Sequence, residues 1–293
     1  MAHAEYKETP EVRMGLDFGF KGDDIPKYWM AGDPFRTRMM DAVQATFPDG
    51  ERYFITTVMA FKDQIEDPEL KAEVKDFAMQ EGQHGRVHTE FNERLQRQGL
   101  DIKRVTGMIL KLNNRRLKYF SAKYNVAMTA AFEHLTAMMA ELFFAEKRVL
   151  AGADERVKAM FAWHAIEEME HKAVAYDVMQ KVAKVGYIRR TTAMTHALFS
   201  FTLNTLIMPW FMLKSDGIGR RERLALYARG LVWMFGPRKG VFTRMVPALA
   251  KYYKPGFHPN QLPSVHNYDA WKNTYDQSQD PMAASEAMYA AAH

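Results

Sequence analysis

Two Glu-x-x-His pairs place the strongest constraint on how this chain can fold. They are Glu81-Gly82-Gln83-His84 and, inside Trp163-His164-Ala165-Ile166-Glu167-Glu168-Met169-Glu170-His171, the pair Glu168 and His171. A three-residue spacing puts carboxylate and imidazole on one face of an α-helix, close enough to grip one metal ion together. Two such pairs on separate helices point to a carboxylate-bridged dinuclear site in a four-helix bundle, which needs one more glutamate from each of two other helices. The chain has no cysteine. Disulfides, iron–sulfur clusters and thiolate zinc sites are thereby excluded, and imidazoles and carboxylates are left as donors.

Helix signals divide the chain into three parts and predict an all-α fold. Residues 1–44 read as an irregular arm with a short helix from Pro34 to about Gln44, residues 45–186 as the bundle, and residues 187–293 as a C-terminal helical extension and tail. In the bundle, Phe47-Pro48-Asp49-Gly50 interrupts the pattern, with Asp49 as a cap for a helix from Glu51 to about Ile65. Asp67-Pro68 turns the chain into a second helix that runs to about Gln98 and is stopped by Gly99. Residues 99–115, rich in Lys and Arg, read as a crossover. A third helix spans about Ser121 to Leu150, and Gly152-Ala153-Asp154 closes it and caps a fourth from Glu155 to about Val185.

Counting along these helices selects the remaining donors. Glu51 stands about 15 residues before its turn and Glu81 about 13 after it, so they differ by roughly 3 Å in height. The third helix offers Glu133 and Glu141, each about four residues off the level of Glu168. Spacing chooses between them. Glu51 precedes Glu81 by 30 positions, Glu133 precedes Glu168 by 35 and Glu141 precedes it by 27; a slightly longer second hairpin favours Glu133, with Glu141 as an alternate or supporting ligand. Glu167, Glu170, His88, His134 and His164 read as solvated or core residues. His164, one turn before Glu168, is the best placed of them to support a ligand.

The set Glu51, Glu81-x-x-His84, Glu133 and Glu168-x-x-His171 resembles the ligand pattern of the ferritin-like carboxylate di-iron superfamily over roughly residues 45–185. Together with Tyr253-Lys254-Pro255-Gly256-Phe257-His258-Pro259, the two motif segments are also similar to those of a bacterial family usually described as predicted metal-dependent hydrolases. The superfamily resemblance implies a ferritin-like four-helix bundle with additional C-terminal helices and two Fe ions. It also implies O₂ as co-substrate and an oxygenase, hydroxylase or oxidase supplied by an external electron donor. The alternative is a metal-dependent hydrolase, in which a dinuclear Zn, Mn or Fe site activates water. Iron storage is disfavoured, because storage has no need of the large extension after the bundle.

That extension is the second informative feature. From Thr191 to Leu213 no Asp, Glu, Lys or Arg occurs in 23 residues, whereas residues 214–254 carry ten basic and two acidic side chains, net +8 in a chain of net +5. The run is long enough to span a membrane; His196, Ser200, Thr202, Asn204 and Pro209 weigh against a simple spanning helix, and a buried or interfacial helix pair is the other expectation. Basic residues interleaved with aromatics can meet nucleic acid or anionic lipid. The adjoining apolar run favours lipid and argues against nucleic acid. The expectation is an apolar substrate channel for an acyl chain or other lipid-derived molecule, with an anionic membrane surface as partner; a homodimer interface is the alternative use of this surface. The residues Met1-Ala2-His3-Ala4-Glu5-Tyr6-Lys7 lack the apolar stretch of a secretory signal, so a cytoplasmic location, peripheral at the inner membrane, is expected. The tail from Pro255 reads as extended, ending in a short alanine-rich helix.

Overall fold

The computed structural model describes residues 6–265 and 267–292. The fold is all-α, with no strand among the described residues. In chain order the helices are α1 (Pro34–Ala45), α2 (Phe47–Met59), α3 (Pro68–Arg97), α4 (Ile102–Tyr119), α5 (Ala122–Ala145) and α6 (Glu155–His171). There follow α7 (Val174–Asp177), α8 (Tyr187–Ser215), α9 (Arg220–Phe235), α10 (Val246–Tyr252), α11 (Tyr268–Ser278) and α12 (Pro281–Ala290). Side chains of Asp33, Asp67, Asp101, Ser121, Asp154 and Asp280 accept first-turn N–H groups. Pro34, Pro68 and Pro281 then occupy positions where no N–H is needed.

Four helices close on one another around the site. The α2 helix lies along α3 and α5 along α6, while α2 also meets α5 and α3 meets α6. Outside this group α8 packs on α1 and α5, and α12 packs on α6. Residues 6–33 run irregularly and drive Phe18, Phe20 and Trp29 into the core. Between α1 and α9 the approach is so close that a Cβ on Gly230 would stand 2.1 Å from Phe35 Cε1, which excludes any larger residue there.

Several boundaries differ from expectation, each for a physical reason. The α2 helix already includes Phe47, because Pro48 falls in its first turn, where a missing N–H costs nothing; Asp49 lies beside the positive helix end and does not cap it. It ends at Met59, before a 3₁₀ turn at Lys62–Gln64. The supposed basic crossover is α4, an 18-residue helix capped by Asp101, in which Ile102 and Ile109 are buried and the cations lie mostly on the other face. The α5 helix stops at Ala145, where Glu146 turns extended. The α6 helix stops at His171; a break and a π-turn at Val178–Val182 follow, and Lys172 Nζ reaches Leu262 O at 2.9 Å. The uncharged run belongs to one long helix, α8, with Pro209 inside it, where a helix pair was expected. The tail contains α11 besides the alanine-rich α12.

A buried ion pair fastens α1 to the far end of α8. Arg38 donates from Nε and Nη2 to Asp216 at 2.8 and 2.9 Å and from Nη1 to Asp41 at 2.7 Å. Burial alone would raise the Asp216 carboxyl, but hydrogen bonds from Arg38 and Lys27 outweigh it and hold the group below its ordinary range. A depressed folded-state value means that the contribution is fully present above the unfolded value, about 3.9, and is lost as pH falls through the folded value. Asp216→Asn is therefore expected to lower unfolding free energy by roughly 2–3 kcal/mol at pH 7. In urea titrations the gap between variant and wild type should close below about pH 4.

Candidate metal centre

Glu51 from α2, Glu81 and His84 from α3, Glu133 from α5, and Glu168 and His171 from α6 meet at the centre of the four helices. All six are at most 3% exposed. Donor atoms of Glu51, Glu81 and His84 lie within 4.8 Å of one another, as do those of Glu81, Glu168 and His171, so the two triads share Glu81. Glu133 joins the second triad, its Oε2 standing 3.4 Å from His171 Nε2, which is also 3.4 Å from Glu81 Oε1. Gly85 makes room for this: a Cβ there would stand 3.2 Å from Glu51 Oε2.

The structure also shows why Glu133 and not Glu141 reaches the centre. Measured from the observed helix ends, Glu133 is 12 residues before Ala145 and Glu168 is 13 after Glu155, which puts them level. Glu141 is two turns further along α5, about 12 Å away, and the charge acting on it is that of Lys172. The earlier count missed because residues 146–154 are not helical.

Electrostatics and hydrogen bonding mark these residues out from an ordinary core. Both oxygens of Glu51, Glu81 and Glu133, both ring nitrogens of His84, and His171 Nε2 have no hydrogen-bond partner among the described residues. Each unsatisfied buried polar group costs about 1–3 kcal/mol, and more when charged. Burial, reinforced by mutual repulsion, pushes Glu51 and Glu133 well above the carboxylate range. Burial likewise pushes Glu81 up to about 8. Burial also acts on Glu168, but the His171 and His164 imidazoles beside it hold that carboxyl below its usual range. For His84, burial and the neighbouring imidazoles favour the neutral ring, the form that ligates metals. Converging uncommitted carboxylates with two imidazoles are the donor set that cations satisfy, and hard divalent or trivalent ions fit it.

A layer of polar groups holds the donors in place. His171 Nδ1 donates to Gln80 Oε1 at 2.9 Å, which leaves Nε2 facing the carboxylates, and Gln80 Nε2 donates to Glu170 Oε2 at 2.8 Å. Arg13, from the N-terminal arm, donates to both oxygens of Glu170 at 2.8 and 3.0 Å and to Glu167 Oε1 at 3.3 Å. Tyr268 donates to Glu170 Oε1 at 2.9 Å and Trp163 Nε1 to Glu167 Oε1 at 2.8 Å. Glu167 Oε2 is 3.0 Å from His84 Nε2, at an angle outside hydrogen-bonding geometry. Spacing alone did not reveal Arg13, Gln80 or Tyr268.

The residues expected to be solvated or core are all buried. Donor atoms of His88 and His164 come within 4.8 Å of Glu51, and those of His164 form a further such group with His84 and Glu168, but both imidazoles are already hydrogen-bonded. His88 Nδ1 faces Gln44 Oε1 at 3.1 Å, His88 Nε2 faces His164 Nδ1 at 2.6 Å, and His164 Nε2 faces Glu168 Oε1 at 2.9 Å. His134 packs on Tyr252 and Phe257, away from the centre, and burial pushes it down to about 3.

Beside the donors lies a chamber of about 80 Å³, lined by Glu51, His164 and Glu168 together with Phe54, Phe132 and Met139. An apolar cavity of about 400 Å³ adjoins it and shares Leu135, Phe201 and Thr205 as a common wall.

Removing one partner from a buried network leaves uncompensated charge, at about 3–5 kcal/mol. Arg13→Met strands Glu167 and Glu170 in this way. Its chemical denaturation midpoint should fall accordingly, and unchanged stability would show that the arm does not hold the layer together.

Compared with protein families, the chain matches the sequence model described as "Predicted metal-dependent hydrolase" over residues 13–262. Searches of curated proteins and of solved structures gave no match. The family description agrees with a metal-dependent enzyme, and it favours the hydrolytic alternative over the oxygenase. On this match over most of its length, the chain belongs to the family of predicted metal-dependent hydrolases.

Proposed function

We propose that the chain is a ferritin-like dinuclear metal enzyme that uses iron and O₂ to oxidise an apolar substrate. The observation that supports this best is the donor set itself: four carboxylates and two imidazoles, buried, with most donor atoms free of hydrogen bonds. Glu51, Glu81 and His84 would hold one ion and Glu133, Glu168 and His171 the other, with Glu81 between them. Bound there, two irons would supply a redox couple whose higher oxidation state carboxylates stabilise. The chain's own residues do the rest. Gln80, Glu170 and Arg13 orient the His171 ring, Thr136 donates to Glu168 Oε2, and Phe54, Phe132 and Met139 keep water from the chamber. This largely apolar wall supports oxidation of an apolar molecule, with electrons from an external donor.

Hydrolysis is the second reading, and the family description supports it. The same six residues would then hold Zn or Mn and activate water. Anaerobic ferrous protein exposed to air decides between the two: consumption of O₂ with a transient optical absorption is expected. Protein that ignores O₂ but hydrolyses esters with zinc or manganese would establish the hydrolase.

We also propose that α8 and α9 rest on an anionic membrane. Phe199, Leu203, Ile207 and Phe211 form an exposed stripe along α8, and Leu224, Leu231, Val232 and Phe235 are exposed on the neighbouring α9. The α8 helix is long and apolar enough to cross a membrane, with a third of its most apolar window buried. Its packing on α1 and α5 supports a helix lying on the surface. Arg220, Arg221 and Arg229 are exposed nearby, whereas Arg223 is buried over Trp210. Each exposed cation near such a surface contributes about 1 kcal/mol. Sedimentation with phosphatidylserine vesicles should fall as salt rises, and Arg220→Glu with Arg221→Glu should weaken it. Protein that stays in solution at every salt concentration rules the membrane out and favours a subunit interface.

A further inference from the structure

The chamber contains a cation that the proposed chemistry leaves unused. Arg116, on α4, is 5% exposed and lines the same chamber as Glu51 and Glu168. Its Nη1 donates to Asn113 Oδ1 and its Nη2 to Ser200 Oγ, both at 2.9 Å and both neutral, while its Nε has no partner. Among the described residues no carboxylate pairs with it; the ionisable groups that act on its charge are Tyr53 and Tyr124. The other buried arginines differ. Arg13 and Arg38 are each paired with two or more carboxylates. Arg94, Arg190 and Arg223 have none, but Arg94 and Arg190 donate to backbone carbonyls, Arg223 lies over the Trp210 ring, and none of the three lines this chamber or the cavity beside it.

We propose that Arg116 binds the anionic group of the substrate, a carboxylate on an apolar chain, and that the chain lies along Phe54, Phe132 and Leu135 toward Glu51 and Glu168. The proposal rests on reading the chamber as the substrate site of a metal enzyme. A guanidinium buried without a counter-charge is electrostatically incomplete, and its planar fork matches a carboxylate in two parallel hydrogen bonds. Sites of this kind are mostly apolar, with a few placed polar groups that fix orientation. The larger cavity beyond Leu135, Phe201 and Thr205 supplies the apolar approach, with the exposed Val246 of α10 at its mouth.

Titration calorimetry of the metal-loaded protein with decanoate, decan-1-ol and decyl phosphate tests this, with metal content measured on every sample. Wild type should bind decanoate at least tenfold more tightly than decan-1-ol. Arg116→Gln should lose that preference while binding decan-1-ol as wild type does, and Arg116→Lys should retain part of it. Wild-type protein that prefers the alcohol overturns the proposal without recourse to any variant, as does an Arg116→Gln protein that still prefers decanoate. Tighter binding of decyl phosphate than of decanoate overturns the carboxylate assignment. Titration of metal-free protein separates Arg116 from the centre. A decanoate preference that vanishes with the metal would place the carboxylate on the ions and sink the proposal; a preference that survives in protein unable to hold metal would uphold Arg116 while counting against the metal enzyme.

Discussion

Repulsion among four carboxylates at the centre of the bundle is the constraint on which the rest of the structure depends. Glu51, Glu81, Glu133 and Glu168 converge from four helices at a depth where an unpaired charge costs several kcal/mol. Protons can relieve part of this, as the raised Glu51, Glu81 and Glu133 carboxyls show, and a proton shared between Glu81 and Glu133 hydrogen-bonds that pair, but Glu51 is still left unsatisfied. Cations relieve all of it at once. A core arranged this way forgoes stability that apolar side chains of equal volume would give, and such a loss is characteristic of functional sites.

The surrounding layer makes that core tolerable. Glu170 would add another buried charge beside the four and Arg13 answers it, while burial raises the Glu167 carboxyl to about 8 even with Arg13 beside it. Because Arg13 arrives on the irregular arm and Tyr268 on α11, the two ends of the chain are tied to the bundle through one glutamate. The α8 helix has a double role. It supplies Ser200, Phe201 and Thr205 to the chamber wall and turns a stripe of apolar side chains outward. Donors, chamber, outer cavity and exposed apolar face thus run from the inside of the molecule to its surface.

Much of this was legible in the sequence because it rests on local rules. Caps at Asp67 and Asp154 and the three-residue Glu-x-x-His spacing depend only on helical geometry, and they put each carboxylate–imidazole pair on one face of its helix. What escaped depends on contacts between distant segments. Arg13 lies 154 positions from Glu167, and nothing in its own neighbourhood marks it as a partner. The α4 helix was hidden by its cations, although Ile102, Val105 and Ile109 carry the helical period. The length of α5 was overestimated because Glu146-Lys147-Arg148-Val149-Leu150 has good helix formers. The chain leaves the helix there to reach Ala153, which pairs with Met30 of the arm.

The central claim is that the six donors hold two metal ions, and anomalous scattering from crystals of the iron-loaded protein tests it most directly. Two peaks are predicted among Glu51, Glu81, His84, Glu133, Glu168 and His171, with Glu81 reaching both. No peak among these side chains, or metal bound only elsewhere, would contradict it.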